Sequence, residues 1–446
     1  MRPFFSVAST KVRDSFPGIS FGRLGLANVA RVPIAMAPLA LVISEGKTKS
    51  ALAMGSFMVS AFTIGEIFLS SRLAKLGDSI DPNSALIRLL FPLIFIWGLF
   101  GVLSSHVSNP IVFGVLALSS LLIGGIGAGL FGISRNIVLD GPKVLKGSAK
   151  SRDRLISLDT SLMEVFFLVS PIVVSFAVVL GGSAFGAIVT SFVSLGGLGV
   201  AFYFKRSGRI ETKNQNSNAD STVLRGSHPF EGGSLKLKSK GESVWFSKSR
   251  LWIFLASAGE GVAEGGLIIA IPSILLENHQ SVGFAGVAIA MISLGSITGG
   301  TVATAFSHSL SRIDIRVRLA LFLLGLSGGV VVLTTLHSLL SILIATFIAG
   351  LFVAPINTAR ALAIGATVSE GQNAEAFGAL YGSYSIGFAL IGLILGIFGT
   401  SVPAASLLGA TAFLSLLIAL YLMLTRRSNF SGLSRTTPTG SAIVTN

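Results

Sequence analysis

The sequence predicts an all-α polytopic membrane protein, with twelve transmembrane helices in two six-helix bundles, and three observations carry that prediction. Twelve apolar runs of roughly 20–25 residues follow one another, each long enough to cross ~30 Å of hydrocarbon at ~1.5 Å per residue. Basic residues fall almost wholly in alternate gaps between the runs. One long polar segment divides the chain near its middle and leaves six runs on either side.

Residues 1–23 are mixed and polar, with Arg2, Lys11, Arg13 and Arg23. The first run, 24–44, exceeds the apolar core of a cleaved signal peptide and is expected to stay as a signal-anchor helix. Runs two to six cover 50–70, 85–104, 110–134, 156–180 and 184–204, so that 24–204 forms an N-terminal bundle. Residues 205–250 carry ten Lys/Arg and four Asp/Glu among many Ser, Gly and Asn. A stretch such as "RIETKNQNSNADST" cannot bury a core and reads as a mobile linker. Runs seven to twelve, at 251–275, 283–306, 317–336, 338–359, 376–398 and 402–424, make a C-terminal bundle over 251–424, and 425–446 is a polar tail.

Topology follows from charge. The side shared by the N-terminus, every second loop and the C-terminus holds 30 of the 33 basic residues; Lys47 and Lys49 lie opposite, and Arg31 falls inside the first run. Basic residues are retained on the cytoplasmic face, which places both termini and the 205–250 linker in the cytoplasm and the chain in the cytoplasmic (plasma) membrane.

Composition excludes several function classes. Hydrophobic residues make up 51% and charged residues 12%, with a mean hydropathy of +0.81. A soluble domain carries about a quarter charged residues. The net charge of +14 lies in short loops beside apolar runs, where topology explains it without nucleic acid. The absence of cysteine excludes disulfides, thiol catalysis and thiolate metal sites. His106, His228, His279, His308 and His337 show no ligand spacing, so neither a metal nor a cofactor is expected. Continuous rather than alternating apolar runs exclude a transmembrane β-barrel.

Weak internal similarity points to two parallel halves. "GAGLFGISRNIV" (127–138) and "IAGLFVAPINTA" (348–359) share Gly-Leu-Phe triplets 221 residues apart, and Gly65 and Gly295 are 230 apart. Glycine clusters in runs four, eight and eleven allow close helix approach, and such smooth surfaces also let two bundles rock.

The architecture resembles the major facilitator superfamily of secondary transporters over residues 20–425. Three stretches look closest to uncharacterised actinobacterial permeases within it: "ARVPIAM" (30–36), "LISLDTSLMEVFFLVSP" (155–171) and "NAEAFGALYGSYSIGFALIGLILG" (373–396). The superfamily's signature between helices 2 and 3, G-x-L-A-D-R-x-G-R-R, corresponds here to "SSRLAKLGDS" (70–79). Leu73 and Ala74 match, Gly77 falls one position early, and Ser71 and Lys75 replace the first glycine and the aspartate. In the superfamily that aspartate belongs to a charge relay holding the outward-open state. With Lys75 in its place the usual relay cannot form, which leaves Asp78 or Asp81 to substitute. Arg72, Lys75, Gly77, Asp78 and Asp159 are the gating candidates. The antiporter pattern G-x-x-x-G-P-x-x-G-G keeps only Pro171 in "FFLVSPIVVS" (166–175).

Ionisable side chains at bilayer depth cost at least about 2.5–3.5 kcal/mol each, so those present face a cavity or a partner. Arg88, Arg135, Arg318 and Arg360 are expected to snorkel at cytoplasmic helix ends. Glu66 and Asp159 are expected to pair with loop arginines. Deeper lie Arg31, Glu164 and the i, i+4 pair Glu260 and Glu264, which are the transport and coupling candidates. In the superfamily, helices 1, 4, 7 and 10 line the central cavity, so the resemblance aims Arg31, Glu260 and Glu264 at the path, with an Arg31–Glu260 pair feasible. Two glutamates stacked four apart in low dielectric cannot both ionise cheaply, as a proton-coupled carrier requires. Asn357, Tyr381 and Tyr384 are substrate-cavity candidates.

The leading expectation is a monomeric, non-enzymatic secondary transporter moving a small molecule by alternating access, with the proton as coupling ion. Sodium coupling and uniport stay open, as does direction, with efflux of amphipathic compounds as one reading. No G-x-x-x-x-G-K-[ST] element is present to couple ATP. The alternatives are a membrane-embedded transferase built on Asp140, Asp153 and Asp159, and a transporter-like sensor without transport. Several acids in a cavity would favour hydrophobic cations, whereas an unpaired Arg31 would favour an anion.

Overall fold

The computed structural model describes residues 21–43, 48–139, 149–219, 249–367 and 373–425, and among these every regular element is helical. Twelve helices are long and apolar enough to cross a membrane. We number them α1 (Phe21–Val29 continued by Val32–Ile43), α2 (Lys49–Ser79), α3 (Pro82–Leu103), α4 (Pro110–Leu139), α5 (Ala149–Gly181) and α6 (Ser183–Ala219). The second set is α7 (Leu251–Glu277), α8 (Ala285–Ala305), α9 (Ile315–Leu333), α10 (Leu339–Gly350 continued by Val353–Gly365), α11 (Asn373–Phe398) and α12 (Ala404–Leu424).

Local chemistry sets the ends. Thr48, Asp81, Asp314 and Ser338 each accept a backbone N–H from the first turn of the helix that follows, and Pro82 opens α3 where its missing donor is not needed. Two spans are broken for one reason. Proline lacks a donor, and its ring collides with the carbonyl four residues earlier. Pro33 therefore interrupts α1 after Val29, and Pro355 interrupts α10 at Leu351 and Phe352. Ser134 occupies the matching place in α4, which runs unbroken.

The expected linker begins later than its composition suggested. α6 continues to Ala219, so residues 205–219 are helical; polar side chains suit a helix that has left the apolar layer. Residues 220–248, the chain before Phe21 and the tail after Thr425 lie outside the described residues.

α1 and α7 are the most enclosed spans, with 83% of their apolar windows buried against 39% for α3, α5, α6, α9 and α12. Of these, α5 packs against α8 of the other set, and α3, α6, α9 and α12 form the periphery. Phe91, Phe95, Phe192, Val331 and Phe413 stand exposed on their outer surfaces, as lipid-facing side chains do.

Within each set of six, glycines bring backbones into contact at the same pairs of helices. A Cβ on Gly65 or Gly124 would run into the facing backbone of α4 or α2, and one on Gly295 or Gly299 into the backbone of α10. Gly65 and Gly295 thus occupy equivalent positions in the two sets. Between the sets, α2 packs on α11 and α5 on α8. Gly392, Gly396 and Gly399 lie against Ser60, Phe57 and Ala53, and Gly286 lies against Pro171 and Ser175. All these contacts fall near the face opposite the basic loops, here the non-basic face. Lys49, at the start of α2, reaches Glu277, at the end of α7, at 2.8 Å on that face.

Candidate functional site

The break in α1 leaves Arg31 between two helical segments, 3% exposed. Its Nη1 lies 2.7 Å from Asp159 Oδ1 on α5, and its guanidinium sits 4.8 Å above the ring of Phe131 on α4. The Arg31–Glu260 pair that similar depth made feasible is not the one formed. Asp159, about a turn and a half closer to the basic face than Glu164, is nearer in the same set of helices. It pairs with Arg31.

Glu260 finds a different partner. Arg360 on α10 comes within 2.6 Å of Glu260 Oε2, donates to Ser257 Oγ at 2.7 Å, and also bonds Asn357. The expectation that Arg360 snorkels to an aqueous end is corrected: it is 8% exposed, because α10 continues to Gly365 beyond it. The run drawn to residue 359 stopped short of "ALAIGA", whose apolar character was the missed signal.

Aromatic rings connect the two arginines. Phe131 stacks on Tyr381 of α11 at 4.8 Å and 18°, Tyr381 on Tyr384 at 6.0 Å, and Arg360 lies 5.1 Å over Tyr384. A column of three rings with a guanidinium at each end thus crosses from the first six helices to the last six. Beside it Glu66 of α2 accepts from Tyr381 Oη at 2.9 Å and Ser385 Oγ at 2.5 Å. Glu66 therefore spans the two sets through hydroxyl donors and not through a loop arginine. Phe131 stood in the sequence only as the end of the repeated Gly-Leu-Phe triplet, with nothing to mark it among 32 phenylalanines as a cavity residue.

These elements surround a cavity of about 100 Å³. Glu66, Glu164, Glu264, Asn357, Arg360, Tyr381 and Tyr384 all line it, with Phe131, Phe167, Phe377 and Phe388 as apolar walls. Helices α1, α4, α7 and α10 contribute as the resemblance implied, and α2, α5, α8 and α11 contribute as well. Arg31 and Asp159 are not part of the lining. Glu164 is 7% exposed, and among the described residues no Lys or Arg comes within ion-pair distance of Glu164 or Glu264. Of the gating candidates, Arg72 is exposed on α2 and is not part of the lining, while the surroundings of Lys75, Gly77 and Asp78 lie outside what is described. Of the three aspartates proposed for a transferase, Asp159 is engaged by Arg31, and nothing is described of Asp140 or of the Asp153 side chain.

No protein-family model matches the sequence, and no curated protein matches it. Solved structures do. A POT peptide transporter in complex with alafosfalin superposes with a TM-score of 0.60 at 15% identity, covering 93% of this chain and 97% of that one. The human organic anion transporter MFSD10 (TETRAN) gives 0.60 at 16%, over 90% and 97%. A POT family transporter bound to a thioalcohol-conjugated peptide gives 0.63 at 13%, over 90% and 95%. All three are transporters rather than enzymes, and at such identities the likeness is one of fold: the chain has the twelve-helix, major-facilitator-type architecture that they share.

Proposed function

We propose that the chain is a proton-coupled secondary transporter that carries a small molecule across the cytoplasmic membrane by alternating access. One observation carries this reading: an acid-lined cavity lies between the first six and last six helices while the non-basic face is closed by glycine contacts. A volume of about 100 Å³ is small against the roughly 300–1,000 Å³ of ligand sites. Admitting a substrate requires the two sets to separate. In this reading 24–204 and 251–424 move as units joined by 205–250, the basic face is cytoplasmic, and the carrier works as a monomer. Closest kinship within the superfamily goes to the actinobacterial permeases, on the three stretches quoted above. Glu164, Glu260 and Glu264 carry the coupling, with Asn357, Tyr381 and Tyr384 facing substrate.

The chain has no cysteine, so labels can be placed in the natural sequence. Spin labels at Arg206→Cys and Arg312→Cys report on the basic face, and labels at Ser108→Cys and His337→Cys on the other; all four positions are exposed. Between pH 8 and pH 5 in liposomes, one distance should lengthen as the other shortens. Two distances that stay fixed would reject alternating access.

A further inference from the structure

Every charged group around the cavity can be followed to its partner, and the remainder has one sign. Arg360 is the only basic residue in the lining among the described residues, and it is held by Glu260, Ser257 and Asn357. Arg31, the cation that would have argued for an anionic substrate, is paired with Asp159 outside the lining. Glu66 is satisfied by two hydroxyls. Glu164 and Glu264 are left, one from α5 and one from α7, with the Ser296 and Tyr384 hydroxyls beside them but without a cation at ion-pair distance among the described residues. The groups facing them are Glu66 on α2, Glu260 on α7, Ser296 on α8, Arg360 on α10, and Tyr381 and Tyr384 on α11. Only Arg360 among them is cationic.

The walls add a second requirement. Phe131, Phe167, Phe377, Tyr381, Tyr384 and Phe388 present ring surfaces. A ring's negative face attracts a cation, and its area rewards a flat apolar body. A small inorganic cation has no apolar body to bury against such walls and must give up its hydration to reach them, and an anion meets carboxylates with Arg360 already engaged. We infer that the cavity takes a lipophilic organic cation, held by the aromatic walls and neutralised between Glu164 and Glu264.

This rests on the transport reading and gives it a coupling rule. The two carboxylates come from opposite halves of the molecule, so with the cavity empty they hold protons or repel, and a bound cation draws both halves together. Protons and cargo therefore compete for the same oxygens. A cation entering from the cytoplasm displaces protons, and protons entering from the other side displace the cation.

Equilibrium binding to the purified full chain tests the inference with two probes of one shape and opposite charge. Tetraphenylphosphonium should bind, and tetraphenylborate, assayed in a separate sample, should not. Ethidium and N-methyl-4-phenylpyridinium should compete with tetraphenylphosphonium. Its affinity should fall at least tenfold from pH 8 to pH 6, and at least tenfold in Glu164→Gln and in Glu264→Gln at pH 8, with thermal unfolding confirming that both variants are folded. Equal binding of tetraphenylborate alone, binding of none of the three cations, or unchanged affinity in both folded variants would overturn the inference. If the spin-label distances still exchange with pH in that event, transport stands and only the cargo class falls; if they too are fixed, the transport reading falls with it.

Discussion

Arg31 on α1 and Asp159 on α5 meet at 2.7 Å with side chains only 4% and 2% exposed, and this contact withdraws the Arg31 guanidinium from the cavity. Removing one partner of a buried pair leaves an uncompensated charge and costs about 3–5 kcal/mol, whereas replacing both by apolar residues of similar volume is often neutral. Asp159→Asn should therefore lower the unfolding temperature in detergent markedly, and Arg31→Met with Asp159→Leu should restore most of the loss. Equal destabilisation in the single and double variants would show that packing alone holds α1 to α5.

The second buried pair predicts opposite effects from its two members. Glu260→Gln releases Arg360 towards Glu264, which adds a cation to the cavity; tetraphenylphosphonium affinity should drop about tenfold, the value of roughly 1.4 kcal/mol of lost interaction. Arg360→Gln removes that cation and leaves Glu260 as a further acid, so affinity should hold or rise. A merely structural pair would weaken binding from either side.

Fold and site were legible in the sequence to different degrees, for physical reasons. Span positions follow from apolar length, and helices such as Pro110–Leu139 and Ala404–Leu424 begin within two residues of the runs read for them. Depth was legible for Arg31, Glu164, Glu260 and Glu264, since it depends only on distance along a helix. Partners were not, because they depend on which helix faces which. Arg31 lies as deep as Glu260 yet pairs with Asp159 in its own six helices. Arg360 was misplaced because polar residues in "NTAR" masked a helix that continues to Gly365.

At the non-basic face Lys49 and Glu277 join α2 to α7 at 2.8 Å, with the lysine side chain 49% exposed. A pair this exposed contributes no more than about 1 kcal/mol, enough to bias closure without locking it. Glu277 Oε2 also accepts the Ala404 N–H at 3.0 Å, where a carboxylate suits the start of α12. Lys49→Glu should lengthen the Ser108–His337 label distance without lowering the unfolding temperature. Glu277→Lys should do both, and the charge-swapped double variant should recover the distance but not the full stability.

Glycines at the two kinds of helix contact should behave differently. Gly65 and Gly295 bring α2 to α4 and α8 to α10 within one set of six, where a Cβ would meet the Leu121 and Phe347 carbonyl oxygens. Backbone cannot retreat there without separating helices that stay packed in every state, so Gly65→Ala and Gly295→Ala should reduce folded yield and unfolding temperature. Gly286 and Gly392 lie between the sets, against Pro171 and Ser175 and against Ser56 and Ser60. An added methyl there can be relieved by parting the non-basic face, a movement the transport cycle already contains. Gly286→Ala and Gly392→Ala should therefore leave the unfolding temperature near that of the parent and lengthen the Ser108–His337 distance at pH 8. Loss of stability in these two as large as in Gly65→Ala would mean that the α2–α11 and α5–α8 contacts are permanent, and that the halves do not part at this face.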